Sequence, residues 1–165
     1  MPMARRKRKE KSKIHLVTLF IIIIISIMGY AIINIVNEDE YVIADVLQVS
    51  GTTIIIGNNC TAIVAETSPE RAYSIELGKQ GVIEERPTTH DVFAEVLKAY
   101  NITLDHVQIE SFDNKYYYAY LFLISGDKIL RLDTKPSDGI ALALRTDSNI
   151  YIKKDLLNQV GRNIC

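Results

Sequence analysis

Between Ile14 and Val36 the chain runs for 23 positions without a charged residue. No other feature restricts its folding as much. As a helix rising about 1.5 Å per residue, the stretch covers roughly 34 Å, enough to cross the hydrocarbon layer of a bilayer. Phe20–Ile25 is almost pure isoleucine. In water such a run invites β-aggregation, whereas a helix in lipid satisfies every backbone group internally. Arg5, Arg6, Lys7, Arg8, Lys9, Lys11 and Lys13 precede the run, and Glu38, Asp39 and Glu40 follow it. Basic flanks stay on the cytoplasmic side. The sequence therefore predicts a single-pass membrane protein with a cytoplasmic N-terminus, an extracytoplasmic body and membrane lipid as the partner of residues 14–36. A cleaved signal peptide is the competing reading, but its apolar core is normally roughly 7–15 residues long. The expected divisions are a basic tail over residues 1–13, a transmembrane helix over 14–36, an acidic linker over 37–40, one domain over 41–160 and a tail over 161–165.

The body must be read apart from this head. Residues 1–37 hold seven basic side chains against one acidic, a net of +6, while residues 38–165 hold 12 against 19, a net of −7. With 48% hydrophobic and 24% charged residues, the chain is neither disordered nor collagen-like. An acidic body repels nucleic acid, whose nonspecific binding rests on cations that neutralise phosphates. Cys60 and Cys165 permit one disulfide, although a cysteine at a frayed end often stays unpaired. Asn59-Cys60-Thr61 and Asn101-Ile102-Thr103 fit the glycosylation acceptor pattern, which matters only outside the cytoplasm.

Alternation predicts strands over Tyr41–Val49, Thr53–Ile56 and Thr61–Ala65, with turns at Ser50-Gly51 and Asn58-Asn59. Ser68-Pro69-Glu70 opens a helix that Gly81 ends. A second helix follows Pro87, with Val92, Phe93, Val96, Leu97 and Tyr100 at helical spacing. Leu104–Phe112 and Lys115–Ile124 form a hairpin about Asp113-Asn114. The second of these strands is apolar on both faces and so is expected to be central. Lys128–Asp133 is a further strand. The helix Ser137–Arg145 is apolar nearly all round and must be buried. A strand Ile150–Ile152 and a helix Lys154–Val160 complete the order βββααβββαβα. The expected fold class is α+β, a single domain with one mixed sheet packed by helices and preceded by one transmembrane helix.

Two segments crowd a cation, a hydroxyl and an acid onto a helix start: Arg86-Pro87-Thr88-Thr89-His90-Asp91 and Asp133-Thr134-Lys135-Pro136-Ser137-Asp138. Helix N-termini present free N–H groups and partial positive charge, which suit phosphate. His90, Asp91, Asp133 and Asp138 are the candidate catalytic residues, with His90 as general acid or base. Arg86, Lys135, Ser137 and Thr89 are the candidate phosphate ligands. Asp133, Asp138 and Glu70 are candidate ligands for a divalent cation such as magnesium, if they meet. The same residues also fit ordinary helix capping, in which each polar group serves its own helix end. The catalytic reading requires the two segments to meet on one concave surface.

These segments also carry a resemblance. Arg86–Asp91 resembles the RPxTHDL signature of the bifunctional nuclease domain family, and Leu132–Ala143 resembles its VDARPSDAIALA motif. Tyr117–Leu121 is similar to its FYAxL strand, Ile150–Ile152 to its closing PIYV, and Ser68–Ile75 to an early helix containing glutamate. Lys135 stands where the motif has arginine and Gly139 where it has alanine, and lysine lacks the bidentate fork that grips phosphate. The resemblance implies an α+β fold, self-association, most simply as a dimer, and nuclease activity on DNA and RNA. Two functions are therefore expected. One is a membrane-anchored nuclease that hydrolyses phosphodiester bonds. The other is a non-catalytic, membrane-tethered module for a small anionic ligand or a protein partner.

Overall fold

In the computed structural model, which describes Ile21 and residues 40–165, the stretch expected to form one strand from Tyr41 to Val49 divides at Ala44. Tyr41–Ile43 (β1) pairs antiparallel with Asn149–Lys153 (β8). The Ala44 N–H donates to the Ile150 carbonyl at 2.8 Å, the last link to that sheet. The chain then enters Asp45–Ser50 (β2), which pairs with Thr53–Asn58 (β3), itself paired with Thr61–Glu66 (β4). No glycine or proline marks the crossing at Ala44. What decides it is burial, since Ala44 and Val46 are both buried in the core.

After the helices Pro69–Gln80 (α1) and Thr89–Ala99 (α2) come Thr103–Phe112 (β5), Tyr117–Ser125 (β6) and Lys128–Thr134 (β7). Pro136–Thr146 (α3), β8, Lys154–Val160 (α4) and Arg162–Asn163 (β9) finish the chain. Helix starts and stops follow local chemistry. Pro69 opens α1 behind Ser68, and Gly81 ends it at φ 66°, a left-handed conformation that glycine adopts without strain. Asn59 and Asn101 also take left-handed backbone, at φ 52° and 54°, so both serve as turn residues.

Two expectations of fold class are corrected. The strands form two sheets rather than one mixed sheet, a five-stranded sheet ordered β1-β8-β5-β6-β7 and a four-stranded sheet ordered β2-β3-β4-β9. Among the described residues only the β5–β8 pairing is parallel. The expected tail at 161–165 supplies β9, which pairs with β4, and Cys165 is disulfide-bonded to Cys60. The second correction concerns the transmembrane helix. Among the described residues no helix is long and apolar enough to cross a membrane. The longest helix of residues 40–165, α1 with 12 residues, rises about 18 Å against a hydrocarbon core of about 30 Å. The segment Ile14–Val36 lies outside the described residues except for Ile21, which is helical. Residues 40–165 form one compact α+β unit.

α3 lies on the five-stranded sheet against β5 and β6. Ile140, Ala141, Leu142 and Ala143 are buried there with Val107, Ile109, Leu121 and Leu123. Gly139 permits the close approach, since a Cβ on it would lie 2.9 Å from Val107 Cγ1. β6 lies between β5 and β7, the central position expected of it, and side chains cap its second face. The Arg131 guanidinium lies 3.5 Å from the Tyr120 ring centre, and His106 stacks on Phe122 at 4.2 Å. Of the apolar stripe expected to bury α2, only Leu97 is buried, and Val92, Phe93, Val96 and Tyr100 are exposed.

Candidate functional site

One residue from each of three helices converges at the start of α3. Ser74 on α1 places its Oγ 2.9 Å from His90 Nδ1 on α2. His90 Nε2 lies 3.7 Å from Asp138 Oδ1 on α3, and Arg71 Nε of α1 lies 3.5 Å from the same oxygen. Asp138 and Arg71 stand on the wall of a cleft of about 910 Å³ between the four-stranded sheet, the tip of the β5–β6 hairpin and the start of α3. Lys115 and Lys135 add positive charge to that cleft, while Glu66 and Asp133 add negative charge. No side chain caps the start of α3, whose N-cap is Lys135.

The convergence follows from the helix period. Arg71, Ser74 and Gly78 recur at i, i+3 and i+7, which puts them on one face of α1, and α1 packs against α3. At Gly78 a Cβ would meet Arg145 Nη1 at 2.7 Å, so the glycine makes room for that guanidinium. Arg145 ties the three helices together. Its Nη1 donates to the carbonyls of Ser74 at 2.9 Å and Ala141 at 2.7 Å, its Nη2 donates to Thr88 Oγ1 at 3.3 Å, and its Nε donates to Asp91.

Asp91 is the other half of this buried pair and is 5% exposed. Thr88 and Asp91 form a reciprocal capping box, in which the Thr88 backbone N–H donates to Asp91 Oδ2 at 2.7 Å. Burial alone would push the Asp91 carboxyl up. The Thr88 hydroxyl and N–H and the Arg145 guanidinium outweigh burial and hold it below its ordinary value. Burial lowers the His90 pKa from its ordinary value, and the Asp138 carboxylate opposes that shift only in part. His90 is therefore neutral at neutral pH and able to accept a proton.

The structure joins His90 to Asp138 and brings Asp138, Asp133, Lys135 and Ser137 to one cleft. Asp91 does not line that cleft. It borders a second depression of about 810 Å³. Arg86 and Thr89 are exposed and line neither depression, and His90 also lines neither, reaching the first cleft only through Asp138. Glu70 is exposed in the first turn of α1, where its own backbone N–H and the Ser68 hydroxyl hold its carboxyl low. Among the described residues no group of three or more His, Cys, Asp and Glu side chains is placed to hold a metal ion, and Asp138 already faces Arg71 and His90. Sequence reasoning missed Arg71, Ser74 and Arg145. The first two were findable from the polar and small stripe 71/74/78. Arg145 was hidden as an ordinary cation at a helix C-terminus.

Two Mycobacterium tuberculosis proteins, the uncharacterized proteins Rv1829 and MT1877, are each 34% identical to this chain over 90 residues, which is 54% of this chain and 53% of each relative. The chain thus spans about half the length of the curated relatives it matches. The family model of the bifunctional nuclease domain matches residues 58–164, a span holding both helix starts, the cleft-lining hairpin and the Ser74–His90–Asp138 line. On that match the chain belongs to the bifunctional nuclease domain family.

Proposed function

We propose that this chain is a nuclease-type phosphodiesterase that hydrolyses DNA or RNA in the cleft at the start of α3. The observation that carries the reading is the His90 ring, held by Ser74 on one edge and facing the Asp138 carboxylate on the other. The 3.7 Å separation from Asp138 is too long for a hydrogen bond, so Nε2 keeps its capacity to accept a proton. In this mechanism Nε2 takes the proton of a water whose oxygen bonds to phosphorus as the bond from phosphorus to the leaving sugar oxygen breaks. Asp138 stabilises the imidazolium that forms, which returns the proton to that leaving oxygen. The Ser74 hydroxyl can donate or accept, so it holds the ring through both states. Arg71 and Lys135 draw the phosphate in, aided by the uncapped start of α3. Asp91 does not touch substrate but sets the position of α2.

A non-catalytic module for a small anionic ligand is the second reading. It is favoured by the −7 charge of residues 38–165, which repels a polyanion far more than a single small anion held by Arg71 and Lys135. The experiment is turnover of labelled single-stranded DNA and RNA by the full-length chain, beside a His90→Gln variant purified identically. The expected loss is about 10²–10⁴-fold, the usual contribution of a positioned acid or base. Equal activity in both proteins overturns the assignment. Dinucleotide binding without turnover establishes the module instead.

A further inference from the structure

β7 ends the five-stranded sheet and is paired on one side only, with β6. Such an edge presents a row of free backbone donors and acceptors, which proteins normally blunt or cover. Here it is not short, and among the described residues nothing covers it. Six of its seven residues are exposed. Leu130 and Leu132 lie opposite Leu123 and Leu121, on the face that the helices cover elsewhere, yet they are 52% and 36% exposed because the helical layer stops short of the edge. Ile129 on the other face is 71% exposed.

We infer that β7 is a dimerisation strand, which pairs antiparallel with β7 of a second copy about a two-fold axis through Leu132 to make one continuous ten-stranded sheet. Charge selects the occupant and the register. Asp133 has no ion-pair partner among the described residues, and Arg131 lies on the same face two residues earlier. An axis at Leu132 sets Arg131 opposite Asp133 of the second copy, twice over, with Leu132 against Leu132. An axis at Arg131 would oppose two arginines directly, and an axis at Leu130 would oppose Asp127 to Asp133. Opposite charges across an antiparallel pair stabilise it, and like charges destabilise it. The surface is self-complementary, as a two-fold interface requires.

The test is disulfide trapping in the full-length chain. In this register the Cα atoms of the two copies of residue 132 lie about 4.5–5.5 Å apart, within disulfide range. Those of residue 129 lie roughly 20 Å apart, six strand positions away. Mild oxidation of Leu132→Cys is expected to give a covalent species of twice 18.7 kDa on a non-reducing gel, and Ile129→Cys is expected to give none. Adding Arg131→Asp should reduce the trapped fraction at least about tenfold, and adding Asp133→Arg as well should restore it, which also shows that the charge variants fold. A monomeric Leu132→Cys, equal trapping at residue 129, indifference to Arg131→Asp, or failure of the double reversal to restore trapping would each overturn the inference.

Discussion

Asp91 and Asp138 occupy the same position, three residues past the N-cap of α2 and of α3, and do opposite things. Asp91 turns back on its own helix, bonds the Thr88 N–H and hydroxyl, and pairs with Arg145 out of reach of solvent. Asp138 faces outward, 37% exposed, between Arg71 and His90. The difference begins one turn earlier. The N-cap of α2 is Thr88, whose hydroxyl completes a capping box, and the N-cap of α3 is Lys135, which has no hydroxyl to offer. A helix whose N-cap side chain cannot bond the first-turn amides leaves its first-turn acid free for other work.

The sharpest way to break this comparison is to remove each acid in turn. Asp91→Ala strands a buried guanidinium and is expected to cost about 3–5 kcal/mol in chemical denaturation. Asp138→Ala removes only a half-exposed ion pair and should cost less than about 1 kcal/mol, while suppressing turnover. Equal costs would mean that the two positions are not distinct. Thr88→Ala should cost about 1 kcal/mol, the usual worth of a cap. The reverse exchange, Lys135→Thr, supplies the missing hydroxyl. It is expected to stabilise α3 by up to about 1 kcal/mol and to weaken turnover by drawing Asp138 back onto its own helix.

The smallest expected effect is a pH dependence. His90 titrates below 6.5 when folded, so between that lowered value and 6.5 the unfolded chain binds more protons. Stability should therefore rise with pH through this window and be complete above 6.5. Thermal melts of His90→Gln between pH 5 and pH 8 should lack that rise. Asp91 acts in the same direction but lower. Its stabilisation is present above its ordinary value of 3.8 and is lost as pH falls through the depressed folded value.

Much of the body could be read from local chemistry. The hairpin about Asp113-Asn114, the stop at Gly81 and the burial of Ile140–Ala143 all follow from turn residues, capping and helical period. What could not be read was decided between distant residues. The crossing at Ala44 depends on which sheet buries its neighbours, and no residue type signals it. What covers the aromatic face of β6 was not legible either, because the cover is Arg131 and His106, polar side chains that pattern reading assigns to solvent. At the candidate site, His90 was legible as a residue that capping does not explain, whereas Asp91 and Asp138 both read as ordinary first-turn acids. Only the burial of Arg145, which a sequence cannot display, sets the two acids apart.

The Cys60–Cys165 bond closes a covalent ring across a sequence separation of 105 residues. Pulled from its two ends, such a chain carries tension through Cys60 directly to Cys165. Residues 61–164 lie inside the ring and bear none of that load. The three helices that bring Ser74, His90 and Asp138 together, and the strand edge of β7, all fall within this shielded stretch. Of the described strands, only β1, β2 and β3 stand on the loaded path. Mechanical stress that strips the first strands from their partners would leave both helix starts in a segment that no end-to-end force can draw out.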